Sequence, residues 1–419
     1  MNSEDILYWL WLSERIGIAS KEFGKLVKRY DSPFDLYRLE EEEIEGLEGV
    51  SERLKLKLAD KNLDFAYKTK YECAKKGIHV IPYGDARYPE RLRQLEDPPV
   101  LLYVMGELPS MDERLCVGMV GTRKISEYGR QSAYKISYEL ASAGMVIVSG
   151  MALGVDGVSA VGALAAGGTT VAVLGCGLSV VYPKEHARLM RAIAAHGAVV
   201  SEYPLSEPPY GGNFPKRNRI ISGLCQGVLI VEGAQGSGAL ITASLAEKQG
   251  RDVFALPGKI DESNSDGPNE LIRQGAEAVT ASDDIVNFYS FLYMDKIDYN
   301  EWNRSKKQML PEIMALTEYG VCGYGKGASE RKASVQKPIR GEGISDKEEP
   351  ISRTAQSSAW NALDPVWRKV LEAMPISQPV SADTLTVDGV STADVITAMT
   401  MLELEGFCEG LPGGMFLRK

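Results

Sequence analysis

The sequence predicts an α/β protein: a doubly wound parallel sheet with a small helical domain before it and a winged helix after it. Three observations carry this. Between residues 114 and 289, six short apolar runs (LCVGMVG, MVIVSG, TTVAVLG, AVVSEYP, GVLIVEG and DVFALPG) alternate with amphipathic stretches such as YGRQSAYKISYELASAG and GALITASLAEKQG. Continuous apolar strands separated by helices mark a parallel sheet covered on both faces. Residues 1–75 carry only helical spacing, and the last stretch, 360–419, returns to apolar periodicity after a polar gap.

In chain order, ILYWLWLSERI, FGKLVKRY and FDLYRL read as helices with dense apolar faces. IEGLEGVSERLKLKLAD fits a helix–hairpin–helix, although one Gly49-Val50 turn is ordinary in small helical domains, so packing or partner binding is the favoured role. Residues 76–110, rich in Pro and Gly, carry two short strands, HVIPY and VLLYVMG, and lead into the core, which extends over 76–290. Residues 291–359 form a polar linker. Its portion 323–358 holds too few large apolar residues to offset the entropy of ordering and is expected to be a flexible tether.

Within 360–419, DPVWRKVLEAM has Pro365 near its first turn, SADTL starts a helix behind Ser381, and STADVITAMTMLELEG pairs Ser391 with Asp394 as a capping box. FCEGLPGGMFLRK reads as two strands around Pro412-Gly413-Gly414. The third helix carries Asp394, Glu403 and Glu405 with no Lys or Arg, so groove reading of duplex DNA is not expected of it.

Composition narrows the class. The 419 residues exceed one ordinary core, and 44% hydrophobic with 25% charged residues is the profile of a soluble globular protein. No apolar run reaches membrane-spanning length, and MNSEDILYWLWLSERIG has acids where a signal peptide needs a basic flank. Six scattered cysteines without a CxxC spacing and three separated histidines predict a reducing cytoplasm, no metal site and no cofactor. The net charge of −10 argues against broad affinity for nucleic acid, so any such binding needs a local basic groove.

That groove has a candidate. GNFPKRNRIIS, residues 212–222, sets Lys216, Arg217 and Arg219 beside Asn213 and Phe214. Free cationic forks next to an exposed ring suit a phosphate chain with bases stacking off it. Ligands of open parallel sheets collect at the carboxyl ends of the strands. There the sequence places Gly121-Thr122-Arg123, then Ser149-Gly150 leading to Asp156, Tyr182-Pro183-Lys184, and Glu232 followed by Ser237-Gly238. Small residues let backbone N–H groups approach an anion, and helix amino ends add favourable partial charge. No Walker loop occurs, and GTRKISEYG lacks the GxGxxG spacing of a dinucleotide site. Asp156 and Glu202 have no histidine placed to work with them, and Ser149 and Ser237 lack a base. Asp156 reads as a turn or cap residue orienting the glycine loop. The site is built to hold, with no catalytic residue assigned.

Over residues 120–276 the chain resembles the DNA-processing protein A (DprA, or Smf) family. The matching pieces are VGTRKISEYG, VSGMALGVDG, TVAVLGCGLSVVYPKEHARL, GAVVSEYP, GNFPKRNRIISGL, SGALITASLAEKQGRDVFALPG and NELIRQGA, in that order. The segment YPERLRQLEDPPVLLYVMGEL and both terminal regions fit as well. The resemblance implies an extended Rossmann-like core, an amino-terminal domain like a SAM or helix–hairpin–helix module, and a homodimer. It also implies binding of single-stranded DNA, protection of incoming DNA during natural transformation, and loading of the RecA recombinase. Carried over, Arg123 and Lys184 become phosphate contacts. Phe214, Lys216, Arg217, Asn218 and Arg219 become the lip of the pocket, with Phe214 free to stack on a base.

Three positions depart from the family pattern: Gly236 where Arg is frequent, Ala160 where His is frequent, and His186 where Asn is common. A nucleotide or nucleoside-phosphate hydrolase of the same broad fold is the alternative, with Glu232 or Asp156 as its carboxylate. A protein-docking scaffold with a vestigial pocket is a third reading.

Overall fold

The structure, a computed structural model, describes residues 5–30, 32–307, 316, 319, 321, 365–375, 380–381, 385–404, 407–411 and 415–418. It divides into two compact units, Met1–Gly327 and Ala328–Lys419.

The first unit begins with six helices: α1 (Asp5–Ile16), α2 (Lys21–Leu26), α3 (Pro33–Arg38), α4 (Glu41–Glu45), α5 (Glu52–Ala59) and α6 (Asp64–Lys76). Local chemistry sets their starts. Ser32 accepts from the Asp35 N–H and Asp35 reaches back, a capping box reinforced by Pro33 at the first helical position. The helical region is not a separate body. Phe23 sits edge-on to Tyr83 with ring centroids 5.4 Å apart, and the buried helical residues run on into those of the sheet in one core.

Nine strands follow in one sheet of order β1-β2-β6-β5-β4-β3-β7-β8-β9. They are β1 (Ile78–Pro82), β2 (Leu101–Gly106), β3 (Cys116–Val120), β4 (Val146–Ser149), β5 (Thr170–Leu174), β6 (Ala198–Ser201), β7 (Gly227–Ile230), β8 (Asp252–Ala255) and β9 (Glu277–Ala278). The six apolar runs of the sequence are β3 to β8, all parallel. The two strands before them extend the same sheet antiparallel, through β2 on β6.

The helices between these strands are α7 (Glu90–Arg93), α8 (Glu127–Ser142), α9 (Val155–Ala165), α10 (Ala187–His196), α11 (Asn213–Leu224), α12 (Gly238–Lys248) and α13 (Asp266–Arg273), and α14 (Ser282–Ser290) and α15 (Tyr299–Ser305) follow β9. Strand alternation assigns the two faces. Val117 and Met119 of β3 belong to the core shared with α8, α9 and α10, while Cys116 and Val120 belong to the one shared with α11 and α12. Helices on both faces make the sheet doubly wound. β3 lies between β4 and β7, so the loops after β3, β4 and β7 open side by side at its carboxyl end.

The second unit holds α16 (Pro365–Ala373), β10 (Val380–Ser381), α17 (Thr392–Leu404), β11 (Cys408–Leu411) and β12 (Met415–Arg418), with the strands in the order β10-β12-β11. The expected terminal hairpin is β11 with β12. Ser391 caps α17: its Oγ accepts from the Asp394 N–H at 3.2 Å, and its hydroxyl donates to the Asp394 carboxylate at 2.7 Å. Residues 382–384, the start of the helix expected behind Ser381, and residues 323–358, the expected tether, lie outside the described residues.

Candidate functional site

The loops at the carboxyl ends of β3 and β4 are interlocked by glycine. Gly154 has φ +76°, and a Cβ there would lie 2.2 Å from the Thr122 carbonyl oxygen. No other residue fits without moving the backbone that carries Arg123. Asp156 then ties the β4 loop to its helix, with its carboxylate accepting from the Gly150 N–H at 3.0 Å and the Ala152 N–H at 3.3 Å. This is the orienting role its position in the sequence implied. Burial pushes the Asp156 carboxyl up, against the pull of Arg217 and these two N–H groups. Ser149 is fully buried, and its hydroxyl donates to the Asp156 carbonyl at 3.3 Å, so it supports the loop from below.

Glu232 does a comparable job after β7. Its carboxylate accepts from the N–H of Ser126 at 2.9 Å and from the Ser126 hydroxyl, holding the residue that caps α8. Gly129 is small because a Cβ there would meet that carboxylate at 2.4 Å. Both carboxylates nominated for hydrolysis are therefore occupied in shaping loops.

The basic segment is a helix, α11, and this separates its side chains. Phe214 reaches the strand ends: its ring lies 5.1 Å from the Arg123 guanidinium, 5.8 Å from that of Arg217 and 5.6 Å from the ring of Tyr182. A Cβ on Gly175 would touch this ring at 2.9 Å, so the glycine after β5 makes room for it. Arg123 and Lys184 are exposed, and Lys184 stands two residues beyond Tyr182. Asn218 reaches the loop after β7, donating to the Gly238 carbonyl at 3.4 Å, next to Ser237 at the start of α12. Gly121, Thr122, Arg123, Gly150, Phe214, Asn218 and Gly238 thus share one end of the sheet.

Three expected lip residues are elsewhere. Arg217 is 4% exposed and lies beneath the site: its Nη1 donates to the Gly150 carbonyl at 2.9 Å and to the Val173 carbonyl. Burial lowers its pKa, with Asp156 working against the loss. Arg219, 3% exposed, turns to the opposite flank, where Nη2 donates to both Glu202 oxygens at 2.8 and 2.7 Å and Nε lies 3.2 Å from Asp97. A helix advances 100° per residue, so adjacent cations cannot all face one groove. Only Lys216 of the three is exposed, and with Asn213 it faces a separate cavity against the helical region. Sequence reading missed Tyr182 as a ring partner and the buried His186, whose Nδ1 lies 3.0 Å from the Met151 carbonyl oxygen.

Among the described residues no group of three His, Cys, Asp or Glu side chains is arranged to hold a metal ion, and no helix is long and apolar enough to cross a membrane. The arrangement offers two exposed cations and small-residue loops at helix amino ends, the chemistry of anion binding.

Known proteins resemble the chain over these same elements. The family model described as DNA recombination-mediator protein A matches residues 79–290, and the DprA winged helix domain matches 354–414. DNA processing protein DprA of Bacillus subtilis is 41% identical over 209 residues, covering 50% of this chain and 70% of that protein. Protein Smf of Synechocystis is 30% identical over 426 residues, spanning 100% of both. The X-ray structure of DNA processing protein A from Streptococcus pneumoniae superposes with a TM-score of 0.57 at 34% identity, covering 67% of this chain and 97% of that one. Matched through both its sheet core and its winged helix, the chain belongs to the DprA/Smf family of DNA-processing proteins.

Proposed function

We propose that the chain is a non-enzymatic single-stranded DNA-binding protein, acting in the cytoplasm as a homodimer. It protects incoming strands and loads the RecA recombinase onto them in natural transformation and recombination. The observation that carries the DNA-binding part is the Arg123–Phe214 pair at the carboxyl ends of the strands, with the exposed Lys184 two residues beyond Tyr182, whose ring packs near that of Phe214. Arg123 rests on the ring of Phe214. A strand's phosphate draws the guanidinium forward and leaves the ring for a base. Membership of a DNA-processing family supports the same reading. The engagement of Asp156 and Glu232 in loop hydrogen bonds speaks against the hydrolase alternative.

Salt titration of oligonucleotide binding tests this. Each neutralised phosphate contributes about −0.7 to the slope of log affinity against log salt for single strands. Arg123→Ala and Lys184→Ala should each reduce the slope's magnitude by about that amount. Phe214→Ala should cost ~1–3 kcal/mol of binding with the slope unchanged. Duplex of equal length binding more tightly than single strand, or slopes indifferent to both cations, would refute the proposal.

A further inference from the structure

We infer that a second subsite, for a nucleobase of the bound strand, lies in the cavity between the helical region and the edge of the sheet; this rests on the single-strand reading above. The cavity is about 350 Å³, at the small end of the range for ligand sites and suited to one nucleoside. Asn213 and Lys216 line it, and they belong to the first turn of α11, whose Phe214 faces the strand ends. One helical turn therefore borders both places, and a backbone crossing it passes from Arg123 and Lys184 to the exposed Lys216.

The walls suit a base and reject a phosphate. Phe65 of α6 is half-buried and supplies the ring, while the buried Tyr103 and Tyr203 close the back. The Tyr203 hydroxyl donates to the Asn213 carbonyl at 3.1 Å, which fixes that wall against α11. Glu207 also lines the space, and among the described residues no salt bridge engages it. A carboxylate there repels a phosphate but accepts from the amino edges of cytosine or adenine.

The same helix, α6, carries further exposed rings. Tyr67 and Tyr71 stand 58% and 69% exposed on α6, one turn apart, with the exposed Lys68 and Lys75 on neighbouring faces. Lys76 at the end of this helix donates to the Ser179 hydroxyl at 2.6 Å, tying α6 to the loop after β5. Rings interleaved with cations are what a single strand follows when read without sequence preference.

Photocrosslinking of the full chain with an oligonucleotide carrying 5-iododeoxyuridine tests the subsite, with affinity and salt slope measured in parallel. Crosslinks are expected on a peptide containing Phe65. Phe65→Ala should abolish them and weaken binding roughly fivefold or more at unchanged slope. Lys216→Ala should lower the slope's magnitude by about 0.7. If Phe65→Ala fails to fold, Phe65→Leu fills the space without offering an aromatic face and gives the same readout. Crosslinks confined to Tyr182 and Phe214, with Phe65 variants binding normally while Arg123→Ala weakens binding, would overturn the subsite and leave the single-strand reading standing. An Arg123→Ala variant that also binds normally would overturn both.

Discussion

Arg123 and Lys184 stand exposed on the loops after β3 and β5, whereas Arg217 and Arg219 of α11 are buried among acceptors. The residue types match and the surroundings do not. An exposed cation surrenders little when a phosphate arrives: water and, for Arg123, its contact with the Phe214 ring. Arg217 would have to release the Gly150 carbonyl, and Arg219 two carboxylates. A cation's value to a ligand depends on what it already holds. The exposed pair is available for binding and the buried pair builds the platform beneath it, so stability and affinity should respond in opposite order along this series.

The largest stability effect is expected for Arg219→Ala. It leaves Glu202 and Asp97 without their cation; Glu202 is buried, and burial already raises its pKa against the pull of Arg219. Removing one partner of a buried pair costs about 3–5 kcal/mol. Denaturant unfolding measures it. A loss below about 1 kcal/mol, the range of an exposed pair, would erase the contrast between the two sets of arginines.

Arg217→Met should fall between the extremes. It keeps the bulk but strips a charged donor from the Gly150 carbonyl, at about 1.5–3 kcal/mol, and removes the cation facing Asp156. Because Gly150 belongs to the loop that holds the site, DNA affinity should drop as well. Arg123→Ala, by contrast, should change stability by no more than about 0.5 kcal/mol while weakening binding. Were Arg217→Met to reduce affinity with stability intact, Arg217 would be a direct ligand contact and not a support.

How far the sequence reveals this contrast follows from what each feature depends on. The six core strands and their parallel order are legible because a continuous apolar run reports burial on both faces, residue by residue. The roles of the loop glycines and Asp156 are legible because turn chemistry is local. The fates of Lys216, Arg217 and Arg219 are not, since they depend on which side of α11 meets β5, β6 or the helical region. A string of basic letters reads as one patch until a helix fans it out. Merging of the helical region with the sheet was hidden for a similar reason: Phe23 on Tyr83 is a long-range contact with no local signature.

The smallest expected effect is at His186, a buried base of a different kind. An arginine cannot discharge, so α11 had to recruit acceptors; an imidazole can. His186 is fully buried against α9, where a Cβ on Gly157 would lie 2.6 Å from its Cε1, and its Nε2 has no partner among the described residues. Burial lowers its pKa below the ordinary 6.5, opposed by the Met151 carbonyl and by Glu185. The unfolded chain therefore takes up the proton first as pH falls. The stabilisation of neutral His186 is complete above about pH 6.5 and drains away below it, until the folded pKa is reached. Raised carboxyls such as Asp156 push the other way at lower pH, because the folded state binds their protons first. The clean measurement is thus a difference: Tm against pH for the native chain minus that for His186→Asn. The two curves should run parallel above pH 6.5 and converge as the native protein loses stability below it. Curves that stay parallel from pH 7.5 to 5 would mean the imidazole finds a partner for its proton, and that burial alone does not decide which basic groups at this site remain charged.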